Sequence, residues 1–291
     1  FFFIDNLQNK INLLKKEKNL VNIIISKSGN TLETVLNSNI IIKNNEKNIF
    51  ITENNNNYLS NLANKIKAEI VEHKNYIGGR YSVLSEVGML PAQLMGLDEK
   101  KFKRLNYLIQ NKKFINQLIQ NVGCTLSLLK KGKNLSVILN YDYKSENLFK
   151  WYQQLISESL GKKSKGVVPI ISNMPKDNHS LMQLYIDGPK KKFFTFFNVL
   201  EKKSNKINKE TLLKSHSYLM NKNLQEIINT MITSSQKVFR NKKIPYRSFE
   251  ILHRNEQTLG EIFCFFILET IMLGRALNVN PFDQPSVDLI K

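Results

Sequence analysis

Apolar and polar positions along this chain fall into short blocks whose period keeps switching. Residues 1–4 are apolar throughout and predict a strand, and residues 6–18 carry the mixed pattern of an exposed helix. A β-branched run at 20–25 predicts a second strand, followed by a helix at 31–42, a strand at 48–52, a helix at 59–67 and a short strand at 69–72. Short apolar strands alternating with helices predict βαβ units and parallel sheets, an α/β fold. Residues 98–120 form a strongly amphipathic helical stretch that bridges into a second domain. Beyond it the pattern predicts strands at 134–140, 166–172, 192–198 and 248–253, a helix at 146–160, and one or two helices over 212–239. Residues 259–277 are apolar almost all round the helix, with Ile262, Phe263, Phe266, Ile267, Leu273 and Leu277, which predicts a buried core helix. The expected division is a first domain over 1–97 and a second over 98–291.

Composition narrows the class. A hydrophobic fraction of 42% over 291 residues is that of a globular chain with one large or two ordinary cores. The best candidate for a membrane span, residues 262–273, is short and carries Glu269. Cys124 and Cys264 show neither disulfide nor metal spacing, which points to a reducing, cytoplasmic setting without a metal. His216 likewise has no partner at metal spacing and is expected at the surface. The net charge of +19 raises a nucleic-acid reading. However, the lysine clusters are short and spread along the whole chain, and Asn and Ile are enriched beside them. Scattered solvated lysines are the expectation, with no nucleic-acid or membrane partner. The chain opens without methionine on Phe1, already inside a strand pattern, which reads as a fragment.

The candidate chemistry starts where the apolar run Ile23-Ile24-Ile25 breaks into Ser26-Lys27-Ser28-Gly29-Asn30-Thr31 ahead of a helix. Free backbone N–H groups and a partial positive charge at a helix N-terminus suit a phosphate. Ser26, Ser28 and Thr31 add hydroxyls and Lys27 adds a cation. An ordinary capped turn rich in Ser and Thr is the other reading of that stretch. A second stretch, Asn75-Tyr76-Ile77-Gly78-Gly79-Arg80-Tyr81-Ser82, joins paired glycines to a planar guanidinium fork.

Residues 75–88 resemble the first signature of the glucose-6-phosphate isomerase family, and residues 26–33 resemble the phosphate loop of the sugar isomerase (SIS) fold. Further resemblances follow in order. Ser157-Glu158-Ser159-Leu160-Gly161-Lys162 is similar to the family's Glu-Ser-x-Gly-Lys segment, and Asp177-Asn178-His179-Ser180 to its histidine segment. Residues 281–291, with Asp283, Gln284 and Lys291, are similar to its second signature. There are departures. Glu86 stands where the family usually has a small residue, Ser286 replaces Gly or Ala, and Leu160 stands where Asn is common. The stretch between Gly161 and His179 is short, and a Gly-Gly-Ser sugar-binding turn before the first strand is absent.

The resemblance implies two three-layer α/β/α domains of SIS type with parallel sheets, the first one truncated. It implies reversible interconversion of glucose 6-phosphate and fructose 6-phosphate, without metal or organic cofactor. Glu158 would shuttle the proton, His179 and Lys291 would assist ring opening, and Arg80 would stabilise the enediolate. Ser26, Lys27, Ser28 and Thr31 would hold the phosphate, while Gln284 and the Gly79 backbone line the sugar. Family enzymes are dimers with sites built from both subunits, so a homodimer is expected. Other hexose phosphates as substrates, and a catalytically silent SIS module that senses sugar phosphate, remain the alternatives.

Overall fold

A computed structural model describes residues 2–7, 20–43, 46–103, 105–201 and 204–289. The chain divides into two compact units, Phe1–Lys103 and Arg104–Lys291. The first unit holds a parallel three-stranded sheet in the order β1 (Val21–Ile25), β2 (Lys47–Thr52), β3 (Glu69–Glu72). Helices α1 (Leu32–Ile41) and α2 (Tyr58–Lys65) make the crossovers. The central strand β2 is almost wholly buried, and Ile24, Phe50, Leu59 and Ala63 form one core cluster. Asn57 starts α2 with a reciprocal capping box, its side chain accepting from the Ser60 N–H while the Ser60 hydroxyl accepts from the Asn57 N–H.

The strand expected over residues 1–4 is not formed. Its described residues, 2–4, are irregular and join no ladder of the sheet, whose edge at β1 pairs with β2 alone. An apolar run supplies side chains for a strand, but only a backbone partner makes one. Most of the expected helix over 6–18 lies outside the described residues. The amphipathic stretch from residue 98 is broken into α4 (Glu99–Phe102), α5 (Leu105–Gln110) and α6 (Lys112–Lys130), after α3 (Glu86–Leu94). The break before α6 falls at Asn111, whose side chain accepts from the Lys113 and Phe114 N–H groups and so begins a new helix.

The second unit is built on a four-stranded parallel sheet in the order β5 (Val168–Asn173), β4 (Leu135–Asn140), β6 (Lys192–Val199), β7 (Tyr246–Ile251). Successive strand residues face opposite sides. Val137, Leu139, Phe194 and Phe196 therefore share one face and pack on Ile232 and Phe239 of α10 (Leu224–Asn241). On the other face lie α7 (Glu146–Leu160) and α11 (Glu256–Ala276), with Phe149 packed edge-on to Phe197 at 4.8 Å and Tyr152 on Phe266 at 4.6 Å. The unit is thus a three-layer sandwich. The remaining described helices are α8 (Asp177–Ser180), α9 (Met182–Asp187) and α12 (Pro285–Asp288).

α11 is the core helix that its composition implied, yet Glu269 sits in its buried face, 1% exposed. A buried carboxylate needs a charged partner. Arg247 of β7 pairs with it through both nitrogens of the fork and also donates to Thr195 Oγ1 at 3.0 Å. Tyr152 lies in the same interior. Burial, aided by the Glu269 charge, pushes its phenol up to about 12, and burial pushes the Cys264 thiol up to about 11. Both groups stay neutral in the folded chain while the unfolded chain ionises them at their ordinary, lower values. Their contribution is therefore intact below about pH 9 and is lost as pH rises towards 12. Urea midpoints measured from pH 8 to pH 11 should fall, and Tyr152→Phe should flatten that fall, Tyr152 accounting for about 1.4 kcal/mol by pH 11. A variant with the parent's pH dependence would show that Tyr152 ionises as freely folded as unfolded.

Candidate functional site

The loop after β1 is shaped by one glycine and one asparagine. Gly29 takes φ +67°, and a Cβ there would lie inside the amide of Asn57, so only glycine fits. The chain then turns into α1 with Thr31 at the cap position. The Thr31 hydroxyl makes no cap bond to its own helix; it meets the Ser26 hydroxyl at 2.8 Å instead. The first turn of α1 therefore keeps donor N–H groups that no capping side chain occupies, beside a buried Ser26 and an exposed Ser28 and Thr31. Such a turn can hold a phosphate dianion. The Lys27 ammonium donates to the Asn75 carbonyl at 2.8 Å and lies 3.6 Å from the Glu53 carboxylate. Lys27 thus joins the loop to the start of the Gly-Gly-Arg segment, and two stretches separate in sequence form one cluster.

Within that segment Gly79–Leu84 is a 3-10 turn in which Gly79 is exposed and Arg80 is 3% exposed. The departure at Glu86 has a local cause. Its carboxylate contacts Nδ1 of His73, a side chain only 1% exposed, whose Nε2 faces the Ile77 carbonyl at 3.2 Å. The imidazole bridges the two groups and so ties the Gly-Gly-Arg turn to α3. Sequence reading missed His73 and Asn57, of which only Asn57 carried a local signal, the capping box with Ser60; Asn75 was read as the start of the Gly-Gly-Arg stretch, but not as the partner of Lys27.

In the second unit Glu158 lies in the last turn of α7, half-buried, accepting from Gln154 Nε2 at 2.9 Å. The helix runs back from the end of β4, so Glu158 stands at the edge of the sheet where the strands begin. The turn at 280–284 lies at the same edge. Lys162 holds it there, its ammonium 2.7 Å from the Asp283 carboxylate and donating to the Asp283 carbonyl at 2.6 Å and to the Asn280 carbonyl. Gln284 follows as the half-buried N-cap of α12, and Lys291 lies outside the described residues. His179 is elsewhere. It is exposed on α8, which follows the end of β5, and its ring has no hydrogen-bond partner among the described residues. β5, six residues and so about 20 Å long at about 3.3 Å per residue, separates the two edges, so Glu158 and His179 of one chain stand at opposite ends of that strand.

The turn after β4 stands where the Ser26–Thr31 loop stands after β1, but it is already filled. Asp142, buried there, accepts from Ser145 Oγ at 2.5 Å and pairs with Arg254 at 2.7 Å. An internal carboxylate takes the room an anion would need. The charges divide sharply between the two edges of this sheet. The loops entering the strands, residues 130–134, 161–167, 187–192 and 241–245, hold three, three, three and two lysines against one acid, Asp187. The loops leaving them, residues 141–146, 174–179, 200–204 and 252–256, hold five acids and three Lys or Arg among the described residues. Lys192 is buried among the lysines, and burial, then Lys190 and Lys133, lower its ammonium below the usual range. The edge carrying Glu158 therefore presents a positive field to a dianion.

The profile of the phosphoglucose isomerase family matches residues 4–291. The glucose-6-phosphate isomerase of Methanocaldococcus jannaschii is 31% identical over 99% of this chain and 75% of its own length. That of Mycoplasmopsis pulmonis is 33% identical over 92% of this chain and 67% of its own. Among solved structures, a hypothetical protein of Thermus thermophilus superposes with a TM-score of 0.88 at 22% identity, covering 99% of this chain and 75% of that one. A glucose-6-phosphate isomerase from Chlamydia trachomatis superposes with a TM-score of 0.74 at 16% identity, covering 97% and 60%.

If the loop after β1 is the phosphate seat, Ser26→Ala together with Thr31→Ala removes a hydroxyl pair of which one proton joins the two and the other is left to donate to a dianion, worth roughly 1.5–3 kcal/mol. Titration calorimetry should show fructose 6-phosphate binding at least about tenfold weaker, with the thermal midpoint little changed. Undiminished affinity would move the phosphate to another part of the molecule.

Proposed function

The chain belongs to the phosphoglucose isomerase family, and on that premise we propose that it interconverts glucose 6-phosphate and fructose 6-phosphate through an enediolate. The observation that carries this reading is the convergence of distant motifs. The phosphate loop meets the Gly-Gly-Arg segment through Lys27, and the Glu158 helix meets the Asp283–Gln284 turn through Lys162.

The reaction opens the sugar ring, moves a proton between C1 and C2, and closes the ring again. Ser26, Ser28, Thr31 and the N-terminus of α1 hold the phosphate, with Lys27 fixing the loop and adding charge. His179 and Lys291 exchange a proton with the ring oxygen and the C1 hydroxyl as the ring opens. Glu158 takes the C2 proton and returns it to C1, so one carboxylate serves both carbons of a cis-enediolate. That intermediate is an anion, and the Arg80 guanidinium, removed from bulk water, stabilises it more than it stabilises the neutral sugar. Gln284 and the Gly79 backbone bound the sugar. The two domains of the proposal run over 1–97 and 98–291, each of SIS type.

The separation of Glu158 from His179 supports a homodimer in which each site takes its histidine from the partner subunit, because a proton shuttle and a ring-opening base must reach one six-carbon substrate. No described helix is long and apolar enough to cross a membrane. Two free cysteines, Cys124 exposed and Cys264 buried, support a cytoplasmic setting.

Glu158→Gln keeps the shape of the side chain and removes its basicity. Substrate should still bind while turnover falls by about 10²–10⁴-fold, the usual worth of a positioned acid/base. A sensor that merely binds sugar phosphate would show no turnover in the parent protein either. His179→Ala should be inactive as well. Refolding the two inactive variants together should restore up to about a quarter of the parent activity, since half the dimers are mixed and each has one intact site. No recovery on mixing would mean that each chain supplies both residues of its own site.

A further inference from the structure

Lys162 is an unusually placed lysine. Its side chain is 11% exposed, it lies four residues after Glu158, just beyond the C-cap Gly161, and its ammonium has three donors and three acceptors. Those acceptors are the Asn280 carbonyl, the Asp283 carbonyl and the Asp283 carboxylate. The turn they define is closed on itself. Asn280 Nδ2 donates to the other Asp283 oxygen at 3.1 Å, and the Phe282 N–H donates to Asn280 Oδ1 at 3.1 Å. Pro281 between them is buried against Gly274 of α11, where a Cβ would lie 2.9 Å from the proline ring. A second lysine of the same loop, Lys165, donates to the carbonyl of Leu277, the C-cap of α11, at 2.9 Å. The ammonium of Lys162, through its hydrogen bond and its charge, holds the Asp283 carboxylate below the usual range.

We infer that Lys162 is a positioning residue, which sets the 280–284 turn, and with it Gln284 and the segment that follows, against the helix end bearing Glu158. This rests on the proposed isomerase reading for its consequence in turnover, but the tether itself is independent of that reading. An isolated surface ion pair contributes little. Here a largely buried ammonium also satisfies two backbone carbonyls that would otherwise turn to water, so its loss frees the turn rather than one side chain. Misplacing a reacting group by about 1 Å can cost on the order of 10²-fold in rate.

The test compares Lys162→Met, Lys162→Arg, Asp283→Asn and the Lys162→Met/Asp283→Asn pair with the parent protein. Lys162→Met should lower kcat at least about tenfold with KM for fructose 6-phosphate and the thermal midpoint nearly unchanged. Lys162→Arg, which keeps the charge, should recover part of the loss. The double variant should be no worse than Lys162→Met alone, because one interaction is removed twice. Amide hydrogen exchange across residues 280–289 should quicken in Lys162→Met and stay slow in the helix 256–276. A parent protein without isomerase activity would overturn the isomerase reading while the exchange measurement still reports on the tether. Unchanged kcat with unchanged exchange, or losses that multiply in the double variant, would overturn the role given to Lys162.

Discussion

A parallel sheet sends every strand in the same direction, so one edge collects the loops that enter strands and the opposite edge the loops that leave them. This constraint governs where chemistry can lie in both units. The Ser26–Thr31 loop leaves β1, whereas Glu158 precedes β5 and His179 follows it. A side chain cannot cross from one edge to the other, since β5 alone is six residues long. The same rule gathers lysines that are scattered in sequence. Eleven of them, in four separate loops, meet on the edge that carries Glu158, because each of those loops leads into a strand. A field of that sign favours a doubly charged substrate over a neutral sugar.

Polar groups inside the units are held by partners from other elements. Glu269 of α11 is matched by Arg247 of β7, His73 at the end of β3 by Glu86 of α3, and Lys162 by the 280–284 turn. Each pairing costs desolvation that a purely apolar contact would avoid. What it adds is direction, since hydrogen bonds fix one element against another in a way that apolar packing does not. The two loops at helix starts show the same logic with opposite outcomes. After β1 the side chains leave the helix N-terminus to donors and an incoming anion, while after β4 the buried Asp142 already supplies the anion. The first loop therefore has room for an anion and the second does not, although both follow a parallel strand.

Much of the architecture was legible in the residue pattern. The β-branched runs, the block at 146–160 and the all-round apolar helix near 256–276 each fold as their period implies, because burial on a pleated strand or a helix face demands that period. The strand at 69–72 also has the bounds its sequence suggested. Residues 1–4 mark the limit of such reasoning, since strand formation needs a neighbouring backbone that a local pattern does not name. Asn111 marks another. Amphipathicity runs through it unbroken, and only its side-chain bonds to the next turn end one helix and begin a second.

For the site, the sequence determined which side chains are available. Hydroxyls around a glycine, a guanidinium after paired glycines, a carboxylate at a helix end and a histidine at a helix start were all visible as residue types at recognisable spacings. The tertiary structure decided which of them share a place. It joined the Ser26–Thr31 loop to Asn75, paired Glu86 with His73, drew Asp283 to Lys162, and set His179 at the far end of the strand from Glu158. The physical reason is that periodicity and spacing act over a few residues along the chain. The contacts that make a site span dozens of residues, and they are fixed by strand order, by edge, and by which buried polar group finds which partner.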